Sequence, residues 1–92
     1  GVLAHAGDGN LHPLLLFDSR REGDRERVDA AEHDIFEIAL RLGGTLTGEH
    51  GIGITKLPYV DRQLNAAAIR VTKGIKAVFD PQNILNPGKI VV

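Results

Sequence analysis

Val2-Leu3-Ala4, the turn cluster Gly7-Asp8-Gly9-Asn10 and the run Leu14-Leu15-Leu16-Phe17 decide the fold class. Two apolar runs flank residues that favour tight turns, which reads as two short strands around a glycine turn. Continuous apolar runs suit strands covered on both faces. Asp18 to Asp24 is a polar connection. Residues 25–42 then read as an amphipathic helix, with Val28, Ala31, Ile35, Ile38 and Leu42 in one stripe that Phe36 and Ala39 widen. Asp24 is the expected N-cap, and Gly43-Gly44 ends the helix where a positive φ costs little. Segment 18–41 holds eight acids against five arginines and reads as a solvated face, with His33 at the surface.

Residues 45–55 read as a strand followed by a glycine-rich loop. Lys56 to Val60 forms one helical turn cut short by Pro58. Residues 64–79 form a second helix, with Leu64, Ala67, Ala68, Val71, Ile75, Val78 and Phe79 on its apolar side and Lys73 and Lys76 towards its C-terminus. Asp80-Pro81 stops it. A turn over Ile84–Lys89 leads to a terminal strand, Ile90-Val91-Val92. The order implies an α+β fold in which antiparallel strands pack against helices.

The 92 residues carry 11 Lys plus Arg and 12 Asp plus Glu, a net charge of −1, so no basic footprint for nucleic acid exists. Cysteine is absent, which excludes disulfides, thiolate nucleophiles and thiolate zinc sites. No apolar run reaches the roughly 20 residues of a membrane helix. For a chain of this size burial and chain entropy nearly cancel, so self-association, or segments beyond this one, is expected to add stability. The chain starts on apolar Gly1-Val2-Leu3 without a targeting signal and reads as part of a longer protein.

Two constellations carry chemistry. In His5-Ala6-Gly7-Asp8-Gly9-Asn10-Leu11-His12 a hairpin would aim both imidazoles at one point, as a divalent metal requires. Asp8 and Asn10 either form the turn or hold an imidazole tautomer by hydrogen bond. The plain alternative is two polar residues at strand ends. In Thr47-Gly48-Glu49-His50-Gly51-Ile52-Gly53, Glu49 would complete a two-histidine, one-carboxylate set, and His50 has the proton affinity of a general base. The alternative is an exposed loop with a solvated pair. Neither glycine cluster fits a dinucleotide-binding fingerprint.

A third stretch, Phe79-Asp80-Pro81-Gln82-Asn83-Ile84-Leu85-Asn86-Pro87-Gly88-Lys89, completes a series. With His5–Pro13 and Gly43–Gly53 it resembles the C-terminal end of the FAD-linked oxidases of the vanillyl-alcohol-oxidase superfamily, above all the glycolate oxidase FAD subunit and D-lactate dehydrogenase group. The resemblance covers nearly the whole chain, 1–92. It implies a C-terminal fragment of a flavoenzyme cap or substrate domain, with the FAD-binding domain outside this chain. It implies FAD in the full-length protein and a divalent metal (zinc, iron or manganese) held by His5, His12 and Glu49. His50 then acts as the base, and Asn86 and Lys89 lie near the flavin or the domain seam. The implied reaction oxidises a small D-2-hydroxy acid to the 2-oxo acid with hydride passing to the flavin.

Relatives that handle a second carboxylate can carry a polar side chain two positions after the second histidine. Here that position is Leu14, which favours a monoacid such as glycolate or lactate. The expected partners are the missing FAD domain, an electron-acceptor subunit and a second copy of the chain. The expected location is the cytoplasm, with any membrane association through partner subunits. Two competing readings are a stand-alone metal-binding or structural module, and a metallohydrolase using His5, His12, Glu49 and water.

Overall fold

The computed structural model describes residues 1–90. The chain divides into two compact units, Gly1–Gly44 and a second from Thr45 onward. Among the described residues the first unit contains strands β1 (Val2–His5) and β2 (Asn10–Pro13) and helix α1 (Asp24–Arg41). The second contains a 3-10 turn (Leu57–Tyr59) and helices α2 (Val60–Gln63) and α3 (Ala66–Phe79). The class is α+β, as the sequence implies. No helix is long and apolar enough to cross a membrane among these residues.

β1 and β2 form an antiparallel hairpin in which Val2 faces Pro13, Leu3 faces His12, Ala4 faces Leu11 and His5 faces Asn10. The second strand therefore follows the turn directly and does not occupy Leu14–Phe17. A strand persists only where a neighbour supplies its ladder bonds. Leu14 still finds Gly1, donating to its carbonyl at 2.7 Å and accepting from its amino group at 3.1 Å. Leu15 to Phe17 are irregular. Neither strand is covered on both faces: Val2 and Leu3 are 65% and 64% exposed.

Helix α1 starts from Gly23, whose φ of 79° turns the chain inward. Asp24 is its first residue and not its cap. The Asp24 carboxylate is buried, accepts the Asp18 N–H at 3.4 Å and pairs with Arg27. A negative charge in the first turn also suits the helix dipole. At the other end Gly43 takes φ 81°, and the Gly43 and Gly44 N–H groups bond back to Leu40 and Ala39. This is a Schellman closure, and it explains the paired glycines. Phe36, Ala39 and Leu40 are half-buried, whereas Ile38 and Leu42 of the expected stripe are exposed. His33 is half-buried.

In the second unit the expected strand at 45–55 is absent. Thr45 and Thr47 spend their hydroxyls on local turn bonds, and the Leu46 N–H bonds the Gln63 side chain at 2.9 Å, not a neighbouring strand. Leu46 and Val60 are the buried hydrophobic residues of this unit. Helix α3 begins two residues later than expected because Asn65 caps it, its Oδ1 accepting the Ala68 N–H at 2.9 Å, while Leu64 stays extended. Its apolar side is bare: Val71, Ile75, Val78 and Phe79 are 57–80% exposed. The expected terminal strand falls on Ile90, which bends at φ 65°, and otherwise lies outside the described residues.

Asp80 organises the turn after α3. Its buried carboxylate pairs with Lys76 and accepts the N–H groups of Ile84 and Leu85, each at 2.9 Å. The Lys76 ammonium holds the Asp80 carboxyl below the usual carboxylate range, with the two backbone N–H bonds assisting. A carboxyl depressed on folding stabilises fully above its unfolded value near ~3.9 and loses that effect as pH falls through the lower folded value. Thermal unfolding followed between about pH 5 and pH 2 should therefore show a fall in stability that Asp80→Asn reduces. An identical pH profile in the variant would contradict this role.

Candidate metal centre and proton acceptor

Register alone places the first pair of candidate ligands. Side chains alternate faces along a strand, so Leu3 and His5 of β1 share a face with His12 and Asn10 opposite them. His5 and His12 are therefore diagonal neighbours on that face, close enough for large side chains to meet. Their ring centroids lie 5.3 Å apart with the rings nearly perpendicular, at 84°. His5 is exposed and His12 half-buried.

This spacing fits one shared ion. A ligand nitrogen at ~2.0–2.1 Å from an ion puts its ring centroid about 3.2 Å away, and a tetrahedral angle then separates two such centroids by about 5.2 Å. That separation equally describes an edge-to-face contact between two rings, so the geometry is compatible with a shared divalent ion.

The turn between the histidines is drawn tight by three bonds. The N–H groups of Asp8 and Gly9 donate to the His5 carbonyl at 3.2 and 3.1 Å. The Asp8 carboxylate accepts the Asn10 N–H at 3.0 Å. Gly9 takes φ 76°, a conformation that side chains disfavour.

Glu49 and His50 belong to the second unit, on a loop pinned at both ends. Buried Leu46 anchors one end through Gln63 of α2. The Thr47 hydroxyl accepts the Gly51 N–H at 2.9 Å and closes the chain around Gly48, Glu49 and His50. Gly51 and Gly53 take φ 80° and 59°. The Glu49 carboxylate stands 4.0 Å from His50 Nε2, an ion pair only while the imidazole carries its second proton. The His50 side chain is 73% exposed, so a substrate can reach it. A carboxylate oxygen and a neighbouring imidazole can hold a hard cation and accept a proton respectively.

Asn86 and Lys89 follow the Asp80 turn. Asn86 is exposed at φ 47° and Lys89 is half-buried. With Thr72, Lys76, Leu85 and Ile90 they line a shallow cavity of about 140 Å3 within the second unit. The structure thus pairs His5 with His12, Glu49 with His50, and Asn86 with Lys89. Leu46, Gln63 and Asp80 are supporting residues that sequence reasoning missed. No local pattern marks Gln63, because its role depends on a contact 17 residues away.

Residues 1–90 match the family described as FAD linked oxidases, C-terminal domain. The chain is 55% identical over 89 residues to the glycolate oxidase subunit GlcD of Bacillus subtilis, covering 97% of this chain and 19% of that protein. It is 42% identical over 90 residues to the mitochondrial cytochrome-linked D-lactate dehydrogenase of Arabidopsis thaliana, covering 98% and 16%. It is 39% identical over 88 residues to the D-2-hydroxyglutarate dehydrogenase of Stutzerimonas stutzeri, covering 94% and 19%. The chain spans less than a fifth of the length of these curated relatives.

Proposed function

The chain belongs to the FAD-linked oxidase C-terminal domain family, and from that premise we propose that it is the substrate-side segment of a longer flavoenzyme oxidising a small D-2-hydroxy acid. The observation that carries the reading is the His5–His12 pair, set on one hairpin face at the spacing of two ligands of one ion. His5 and His12 supply two nitrogens and Glu49 a carboxylate oxygen, a three-ligand set that leaves positions open for substrate. His50 takes the α-hydroxyl proton on its imidazole, and the Glu49 carboxylate beside Nε2 offsets the charge so formed. When bound, the metal supplies a Lewis acid for the hydroxyl and carboxylate, and FAD supplies the hydride acceptor. Asn86 and Lys89 contribute to the surface that meets the flavin or its domain.

Leu14 places an apolar side chain two positions after His12, which suits glycolate or lactate better than a dicarboxylate. An electron-acceptor subunit completes the cycle, and self-association covers part of the bare apolar surface; a monomer in light scattering would count against the latter. The test is anaerobic mixing of the FAD-loaded longer enzyme with D-lactate, glycolate and D-2-hydroxyglutarate. Rapid bleaching of the flavin by a monoacid is expected. Bleaching by the dicarboxylate alone would overturn the substrate reading, and bleaching by no 2-hydroxy acid would overturn the reaction.

A further inference from the structure

We propose that Asp8 is a positioning residue whose carboxylate locks the turn that sets His5 and His12 on one face, an inference that rests on reading those histidines as metal ligands. Between the histidine strands run Ala6, Gly7, Asp8 and Gly9, and Asp8 alone among them has a polar side chain. Its Oδ1 is engaged by the Asn10 N–H at 3.0 Å, so the group closes an Asx turn. Asn10 is the residue that faces His5 in the ladder. Fixing the Asn10 backbone therefore fixes which residue opposes His5, and through it the face on which His12 emerges.

The Asx turn acts on register together with the Gly1–Leu14 backbone pair and the bonds to the His5 carbonyl. Each strand has only four residues, and a two-stranded hairpin is marginal by itself. A slip of one residue would send His12 to the opposite face from His5 and separate the two nitrogens.

The test compares Asp8→Ala, Asp8→Asn and Gly9→Ala with the parent, each in the longer enzyme, by Zn2+ titration and by the nuclear Overhauser contact between the His5 and His12 ring protons. Circular dichroism checks that helix content is unchanged. Asp8→Ala should weaken Zn2+ binding about 10- to 100-fold and diminish the ring contact. Asp8→Asn keeps an Oδ1 acceptor and should restore both to near the parent values. Gly9→Ala strains the same turn at φ 76° and should mimic Asp8→Ala without touching the carboxylate.

Failure of Asp8→Asn to restore binding would overturn the turn-locking role in favour of a charge effect. An unchanged ring contact in Asp8→Ala would overturn it too. If the parent enzyme binds no Zn2+, the metal reading fails, and the ring contact in the variants still decides the role of Asp8.

Discussion

Replacing His50 by alanine in the FAD-loaded longer enzyme should slow flavin reduction by substrate about 100- to 10,000-fold, the usual contribution of a general base. FAD content per chain should not change, because His50 sits on a surface loop held by Thr47 and Leu46, not by its own side chain. On the proposed reaction, removing the imidazole would leave the α-hydroxyl proton without an acceptor as hydride departs. Added imidazole should recover part of the lost rate, whereas a purely structural lesion would not respond to it. Equal reduction rates in variant and parent would remove His50 from the proton-accepting role.

Loss of metal is the second large effect. His5→Ala, His12→Ala and Glu49→Ala should each weaken binding of a divalent ion by more than about 100-fold, since even groups that only orient ligands typically cost 10- to 100-fold. On this proposal each histidine variant would remove one of two nitrogens that share an ion, leaving one imidazole bond. The strands should survive the change, because the ladder is made by backbone groups and both side chains stand off one face. Equilibrium dialysis followed by elemental analysis reads the outcome. Unchanged stoichiometry in any one variant would take that residue out of the ligand set.

Much of this was legible in the residues. The turn cluster Gly7–Asn10 marked a hairpin, and the histidines on either side of it marked a shared point. Paired glycines at 43–44 ended α1 as their permissive backbone allows. The strand boundaries were not legible, because Leu14–Phe17 looks more strand-like than Asn10–Pro13. Hydrophobicity reports what a segment wants to cover, whereas a strand also needs a partner in register, and among the described residues β1 pairs with Asn10–Pro13. For the same reason Thr45–Thr47 reads as a strand but folds as a loop, its hydroxyls and the Leu46 N–H satisfied locally or by Gln63. Periodicity puts Val71, Ile75, Val78 and Phe79 on the apolar side of α3, but these residues are exposed, and the half-buried positions of the helix are Ala68, Ile69, Thr72 and Lys76.

Site chemistry divides along similar lines. Spacing alone left a bland alternative open for both pairs, His5 with His12 and Glu49 with His50; the roles came with the family resemblance, and the hairpin brings the two histidine rings to 5.3 Å. Asp8 was nameable, but its job was not: hydrogen bonding to an imidazole and closure of an Asx turn were equally open until the Asn10 N–H was seen to hold its oxygen. Asp80 was legible only as a helix stop. Its buried pairing with Lys76 and capture of two backbone N–H groups depend on how the chain returns after Pro81.

The most direct measurement is the metal content of the FAD-loaded enzyme against its turnover of D-lactate or glycolate, before and after chelation. The account predicts about one zinc, iron or manganese ion per chain, as two imidazoles and a carboxylate would hold. Chelation should remove the ion and the activity together, and adding the ion back should restore both. Full turnover by an enzyme that holds no divalent ion would contradict the assignment of His5, His12 and Glu49.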